Sequence, residues 1–502
     1  MARTDPEGAF VLDALLPGTY TLSVSRRGSP AVEYGQNERF GVGRTIEVAA
    51  GQTVSGIQLV LPHGLRLSGS IVDEHGEPLQ DASVRALRLE DMSGRLVATG
   101  MGVPRRTDDR GRFRLFGLLP GKYVVVASID GVLSGEARPG QTGYAAVYHP
   151  GTPAISAATQ FELSADVAGA DIVMAPSRVV HLRGTAFAGN APLSSGTARL
   201  TESRRSTSVS SEVRSVTLAA DGTFTFPDVA PGEYAVQVTG LGPGQHGLFG
   251  MEYARVGDTD LAPLAIYTSN GVTLEGRVVV EEPADLDPCP TPAAARAGGC
   301  AVQPAASAFT VTPIGIDPDR AQVSGGVSVV VSGDGVFYIT GLFGPMAFSL
   351  QSAPGDDWHL KSIVIDGRDV IDSGYDFGAT ASTIAGAEIT VSRQGGAITG
   401  SVTDGAKPVD SYAVVVFPAD QRRRAAHAPG LRMARPQNDG SFRVTGLPPG
   451  DYYVAAVDRL EGTRTGGEWQ SPTLLEQLSS RAERVTVGER GTKTVTLRRI
   501  VR

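Results

Sequence analysis

One phrase, written five times, constrains this chain more than any other feature. The copies are DPEGAFVLDALLPGTYTLSV from Asp5, DDRGRFRLFGLLPGKYVVVA from Asp108, AADGTFTFPDVAPGEYAVQV from Ala219, SGDGVFYITGLFGPMAFSLQ from Ser332 and QNDGSFRVTGLPPGDYYVAA from Gln437. Their anchor aromatics, Phe10, Phe113, Phe224, Phe337 and Phe442, lie 103, 111, 113 and 105 residues apart. A second aromatic follows ten residues later at Tyr20, Tyr123, Tyr234 and Tyr452. The fourth copy has Phe348 instead, eleven residues on, and reverses the Pro-Gly corner to Gly344-Pro345. A period of this length means repeated domains, and the phrase itself reads as β-structure. Asp-Gly supplies the positive-φ turn that starts a strand. Phe113 and Leu115 then share one face, Pro120-Gly121 turns the chain, and Tyr123, Val125 and Ala127 line one face of the next strand.

A second landmark lies upstream. LSGSIVDEHGEPL from Leu67, LRGTAFAGNAPL from Leu182, LEGRVVV from Leu274 and ITGSVTDGAKPV from Ile398 share an apolar-x-Gly-x-apolar opening strand. Gly69, Gly184 and Gly400 precede their anchors by 44, 40 and 42 residues, and Gly276 by 61, so the fourth repeat carries an insert. A closing strand recurs too, as in RTIEVAAGQTVSGIQLVL from Arg44 and ERVTVGERGTKTVTLRRI from Glu483. The expected architecture is all-β: tandem small antiparallel Greek-key β-sandwiches, beads on a string. The boundaries fall at 1–63 (a truncated sandwich), 64–178, 179–270, 271–394 (divergent, with a Cys-containing insert) and 395–502 (with a short helix). The first copy has its phenylalanine at position 10, where its siblings have some forty residues before it. The expectation is a chain that begins inside a domain, with a leader or further domains upstream of Met1.

Composition narrows the function classes. With 63 Gly and 32 Pro but 41% hydrophobic residues, the chain is turn-rich globular material. Its net charge of −8 argues against a nucleic-acid partner. No window approaches the roughly 18 consecutive apolar residues of a membrane helix.

The opening strand with its Gly-x-Pro-Leu continuation and the DG-x-F…L-x-PG-x-Y phrase resemble the carboxypeptidase regulatory-like domain. That resemblance implies a prealbumin-like (transthyretin-like) sandwich, a carbohydrate-binding-like fold and a non-catalytic accessory module. It is most marked in the second and fifth repeats. DDWHLKSIVIDGRDVID from Asp356, leading into a last domain with GEWQSP from Gly467, is similar to a tandem of large bacterial extracytoplasmic proteins.

Catalytic chemistry is not evident. The seven histidines are scattered, none starts an H-x-x-E or H-E-x-x-H pair, and there is no G-x-S-x-G elbow. The formal G-x-G-x-x-G at Gly242, Gly244 and Gly247 contains Pro243 and lacks a following helical pattern. Turn aspartates such as Asp334 and Asp439 lack the remaining oxygens of a calcium loop. No catalytic, cofactor-binding or metal-binding residue is therefore expected, and no cofactor. Cys289 and Cys300 enclose ten Pro/Ala/Gly-rich residues, and a disulfide closing that loop is expected in an oxidising compartment. The two tryptophans, Trp358 and Trp469, are the candidate carbohydrate-stacking residues, with Tyr144, Tyr148, Tyr375 and Tyr412 behind them. For Trp469 the structural alternative is to cover the helix SPTLLEQL, capped by Ser471, with Pro472 first and Leu474, Leu475 and Leu478 as its apolar stripe. Arg422, Arg423 and Arg424 read as a solvated loop.

The functional expectation is a non-catalytic extracytoplasmic (periplasmic, secreted or cell-surface) structural stalk or interaction module. The alternatives are a carbohydrate-binding module and an accessory region of a larger extracytoplasmic enzyme such as a peptidase. Its expected partner is a polysaccharide or a cell-surface protein.

Overall fold

In the computed structural model, the described residues are all except 1, 27–28, 37–42, 93–94, 130–141, 145, 179, 204–213, 230, 243–246, 258–260, 282–308, 318, 321–327, 332–334, 353–357, 406, 410, 438 and 461–466. Strands dominate, and one α-helix, Pro472–Ser479, is present among the described residues. Four times over, the chain builds two facing β-layers around an apolar core, joined in the fifth sandwich through Thr492–Ile500; in the second and fifth a further apolar cluster covers the outer side of one layer.

The second phrase shows how. Its Phe strand, Arg112–Leu118, pairs antiparallel with the opening strand Leu65–Asp73 in one sheet. Its Tyr strand, Gly121–Ser128, pairs with Ser83–Met92 in the other. The Pro-Gly corner is thus the place where the chain crosses between layers. Leu67, Ile71, Phe113, Leu115 and Tyr123 meet in the core between them. The third sandwich uses Val180–Ala188, Thr223–Val229 and Gly232–Leu241 in the same roles. The fourth uses Val272–Glu281, Val336–Leu342 and Pro345–Ser352, and the fifth Gly396–Asp404, Ser441–Leu447 and Gly450–Val457.

Apart from a short parallel contact of Gly450–Val457 with Thr492–Ile500 in the fifth sandwich, the sheets are antiparallel with one recurring exception that alternation does not reveal. Closing strands run parallel to opening strands: Ile172–Met174 beside Leu65–Asp73, Leu264–Thr268 beside Val180–Ala188, Ser382–Ser392 beside Val272–Glu281 and Thr492–Ile500 beside Gly396–Asp404. A parallel neighbour requires a long crossover, and here the rest of the sandwich is that crossover.

The opening-strand glycine has a geometric explanation. Gly69, Gly184, Gly276 and Gly400 are the cross-strand partners of Phe113, Phe224, Phe337 and Phe442. A Cβ on Gly276 would stand 2.8 Å from the Phe337 ring, and one on Gly400 would stand 3.0 Å from the Phe442 ring. On the far side it would strike the closing strand's backbone. The phenylalanine lies over the bare backbone, so the two residues recur together.

The tyrosine is fixed equally locally. Tyr20, Tyr123 and Tyr452 each donate a hydroxyl hydrogen bond to the carbonyl four residues back, at Leu16, Leu119 and Pro448, over 2.6, 2.8 and 2.6 Å. The bond ties the strand to the corner that precedes it. The fourth copy, with Phe348, has no hydroxyl to donate.

The first copy is different. It forms two strand pairs, Gly18–Tyr20 with Ile46–Val48 and Ser23–Arg26 with Ser29–Glu33, and leaves Val11, Leu16 and Val60 78%, 77% and 82% exposed. Its Glu33 nevertheless pairs with Arg435 of the fifth sandwich. At the seam between the third and fourth sandwiches, buried Ser203 donates to Asp319 at 3.0 Å, the Gln237 amide donates to the Asp319 carbonyl, and Phe249 meets Phe343 edge to face at 5.0 Å. At the next seam, Arg423 faces Asp372 at 3.4 Å and His427 lies 3.2 Å from the Asp372 carbonyl. Burial holds His427 below the usual imidazole range, with the Asp372 carbonyl opposing it.

Candidate functional site

The repeated phrase contains turns where a ligand loop could be imagined. Asp108 Oδ1 accepts the backbone N–H groups of Arg110 and Arg112 at 3.0 and 2.7 Å, and Gly111 adopts φ +68°. Asp439 is held below the usual carboxylate range by the Ser441 hydroxyl, 2.6 Å away, and by the Ser441 N–H. These carboxylates are occupied by their own turns. Asp334 lies outside the described residues, as do Cys289 and Cys300. After the formal glycine motif the chain forms the strand Gly247–Val256, so no helix N-terminus stands there to receive a phosphate. Among the described residues, no three His, Cys, Asp or Glu side chains gather as a metal site requires.

The tryptophans are not open platforms. Trp358 is 6% exposed in the core of the fourth sandwich, with the Arg393 guanidinium 5.2 Å from its ring centre. A ring buried on these terms has no face to give a sugar, so its candidacy as a stacking residue is corrected. Its polar neighbours in sequence hid the fact that it leads straight into the buried strand His359–Ile365. Trp469 is half-buried against Leu474, Leu475 and Leu478, the structural alternative weighed for it. The helix is where it was expected, but Ser471 makes no side-chain cap; its hydroxyl is buried. Of the tyrosines, Tyr148 and Tyr412 are core residues. Tyr144 and Tyr375 donate to Glu74 and Asp366 at 3.1 and 2.5 Å.

Arg424 departs from the solvated-loop reading. It is 7% exposed, donates to the carbonyls of Pro418 and Ala419 at 2.8 and 2.9 Å, and lies over the rings of Phe417 and Tyr453. It pins its loop to the sheet while Arg422 stays in solvent. Beside this loop is a cleft of about 580 Å³ lined by Asp420, Arg423, Tyr452 and Asp451. Its carboxylates are already engaged, Asp420 by Arg422 and Asp451 by Arg484 and Thr486. Burial pushes the Tyr452 phenol there up to about 12.

An exposed aromatic pair among the described residues lies elsewhere. On the outer face of the third sandwich, Tyr267 is 67% exposed and its ring stacks on Phe187 with centroids 5.3 Å apart and planes 23° from parallel. Pro192 and Tyr267 both pair with Phe187 across neighbouring strands, so the three rings form a row. One row along, Thr185 pairs with Thr223, and beyond them comes Arg183. The signal was in the alternation: if Leu182, Gly184 and Ala186 face inward, Phe187 must face out.

With this geometry in view, comparison with known proteins identifies one segment. Residues 66–147 match the carboxypeptidase regulatory-like domain. That span runs from the opening strand of the second sandwich to Val147, and so takes in the Gly69–Phe113 pair and Tyr123 of the regulatory-like segment. No curated protein matches the chain. Among solved structures, the Bacillus anthracis TIE protein is 12% identical with a TM-score of 0.16, covering 87% of this chain and 74% of its own. A streptococcal ancillary pilin is 13% identical with a TM-score of 0.19, over 51% and 76% of the two chains. The shaft pilin SpaA from Lactobacillus rhamnosus GG is 12% identical with a TM-score of 0.16, over 41% and 97%.

Proposed function

We propose that this is a non-catalytic extracytoplasmic protein of tandem β-sandwiches, divided at 1–63, 64–178, 179–270, 271–394 and 395–502, that serves as a structural stalk or interaction module. The observation that carries this reading is the identity of what recurs. The Gly–Phe pair, the inter-layer corner and the tyrosine hydroxyl all serve turns and cores, and no polar constellation repeats with them. Two joints support it as well: only residues 269–271 and 393–395 separate one closing strand from the next opening strand. Such short connections hold neighbours in a restricted relation.

The test has two arms. Calorimetry of the full chain should resolve several transitions, and panels of peptide, ester and glycoside substrates should show no turnover. Turnover that co-purifies with the chain and disappears in a point variant would overturn the non-catalytic reading. A single cooperative transition would overturn the modular one.

A further inference from the structure

We propose that the outer face of the third sandwich binds an acidic polysaccharide, with Tyr267 as the stacking surface and Arg183 as the carboxylate anchor. The idea is independent of the stalk reading, because this face takes no part in the core.

Three observations define the occupant. The first is size. The apolar strip consists of Tyr267, Phe187 and Pro192, of which Phe187 is half-buried. Fully buried aromatics cover roughly 150–250 Å² each, whereas a stable protein partner needs about 800 Å² from this side. The strip is far too small for a second protein and suits a ligand one ring wide. The second is shape. Tyr267 lies on the edge strand Leu264–Thr268, which pairs with Val180–Ala188. Phe187 supports one face of its ring, and the other remains open to stack on the C–H face of a pyranose. One row along the same face comes Thr185, with Thr223 opposite it on the strand that flanks Val180–Ala188 on the side away from Tyr267, so that hydroxyls lie between the aromatic row and Arg183.

The third is charge. Arg183 is exposed and makes no ion pair among the described residues. The nearby carboxylate of Asp221 accepts the Thr223 hydroxyl at 2.7 Å and its backbone N–H at 3.1 Å. Four residues of strand, ~13 Å, separate Arg183 from Phe187, so the ligand is a chain of sugars and not a single ring. A guanidinium at the end of a hydroxyl row selects a carboxylate by paired hydrogen bonds.

The experiment is affinity electrophoresis of the full 502-residue chain in gels containing polygalacturonate, alginate or fully methyl-esterified polygalacturonate. Retardation by at least one acidic polymer, weakened by salt and much reduced in the ester, is expected. Tyr267→Ala should weaken it about tenfold or more, equivalent to ~1.4 kcal/mol, while Tyr267→Phe keeps it. Arg183→Gln should remove the preference for the acid over the ester. Because Tyr267 and Arg183 are exposed, thermal melting of all three variants should match the parent. Binding to neither acidic polymer, binding indifferent to Tyr267→Ala, or equal binding to acid and ester would each overturn the proposal. So would sedimentation showing that Tyr267→Ala abolishes self-association of this chain, since the face would then belong to a second copy.

Discussion

Gly400→Ala tests the pairing of glycine with phenylalanine most directly. The new methyl would lie 3.0 Å from Phe442 Cε1 and closer still to the Val495 carbonyl oxygen. Carbon atoms rest at about 3.5–4.0 Å, so the ring would have to retreat by roughly 0.5–1 Å. It has nowhere to go: Phe442 is 1% exposed and meets Tyr412 edge to face at 6.4 Å. Nor can the other side yield cheaply, because Gly400 and Val495 sit in the parallel ladder. Overpacking of this kind costs about 1–3 kcal/mol, against the ~0.4–1 kcal/mol that glycine replacement contributes by restricting the unfolded chain. Gly488→Ala is the internal control, since nothing stands within 4 Å of a Cβ there. In a Trp358→Phe background Trp469 is the one remaining tryptophan, and its fluorescence follows the fifth sandwich alone. With a urea dependence of ~1–3 kcal/mol per molar, Gly400→Ala should lower the midpoint by about 0.5–1 M. Gly488→Ala should hold or raise it. If both variants shift alike, or if Gly400→Ala unfolds at the parental concentration, the close approach is not what selects the glycine.

Three further outcomes follow from other parts of the molecule. Phe113→Ala and Tyr123→Ala should each cost about 3–5 kcal/mol as buried aromatics, unfolding the second sandwich in a calorimetric scan while the transitions of the others remain. Tyr452 has its pKa raised from the ordinary 10.0 to about 12, so the folded form holds the proton more tightly; stability is intact below pH ~10 and is lost as pH rises toward 12. Tyr452→Phe should flatten that alkaline loss in a urea–pH series while costing about 1 kcal/mol at neutral pH through the missing bond to Pro448. We propose that Cys289 and Cys300 are bridged: thiol titration of the denatured chain should find none before reduction and two after, and reduction should leave the melting of the fourth sandwich nearly unchanged.

What could be read from sequence was whatever depends on neighbours in the chain. The turn at Asp108, the alternation from Phe113 and the helix stripe at Leu474 are short-range patterns, and the structure contains each of them. The interval from Gly69 to Phe113 was visible as a number, but its meaning required the register that sets one opposite the other. Side chains whose fate depends on distant partners were harder. Arg424 looked solvated until the carbonyls of Pro418 and Ala419 and two aromatic faces surrounded it. Ser471 has the identity of a cap, yet its hydroxyl is buried and makes no cap hydrogen bond. Trp358 follows a polar run that makes it a candidate stacking residue, whereas its place is in the core of the fourth sandwich. Tyr267 carries no local signal, because its setting comes from Phe187, eighty residues away and one strand across.

The parallel placement of opening and closing strands has a mechanical consequence. In each complete sandwich the chain enters at one end of a strand pair and leaves at the opposite end. A pull along the polypeptide therefore slides those two strands past each other, loading their hydrogen bonds together instead of peeling them apart one by one. In the fourth sandwich that pair is long, with Val272–Glu281 held against Ser382–Ser392. Tension entering from either neighbour would pass through this ladder, and the two tight joints at 269–271 and 393–395 would carry it onward with little slack.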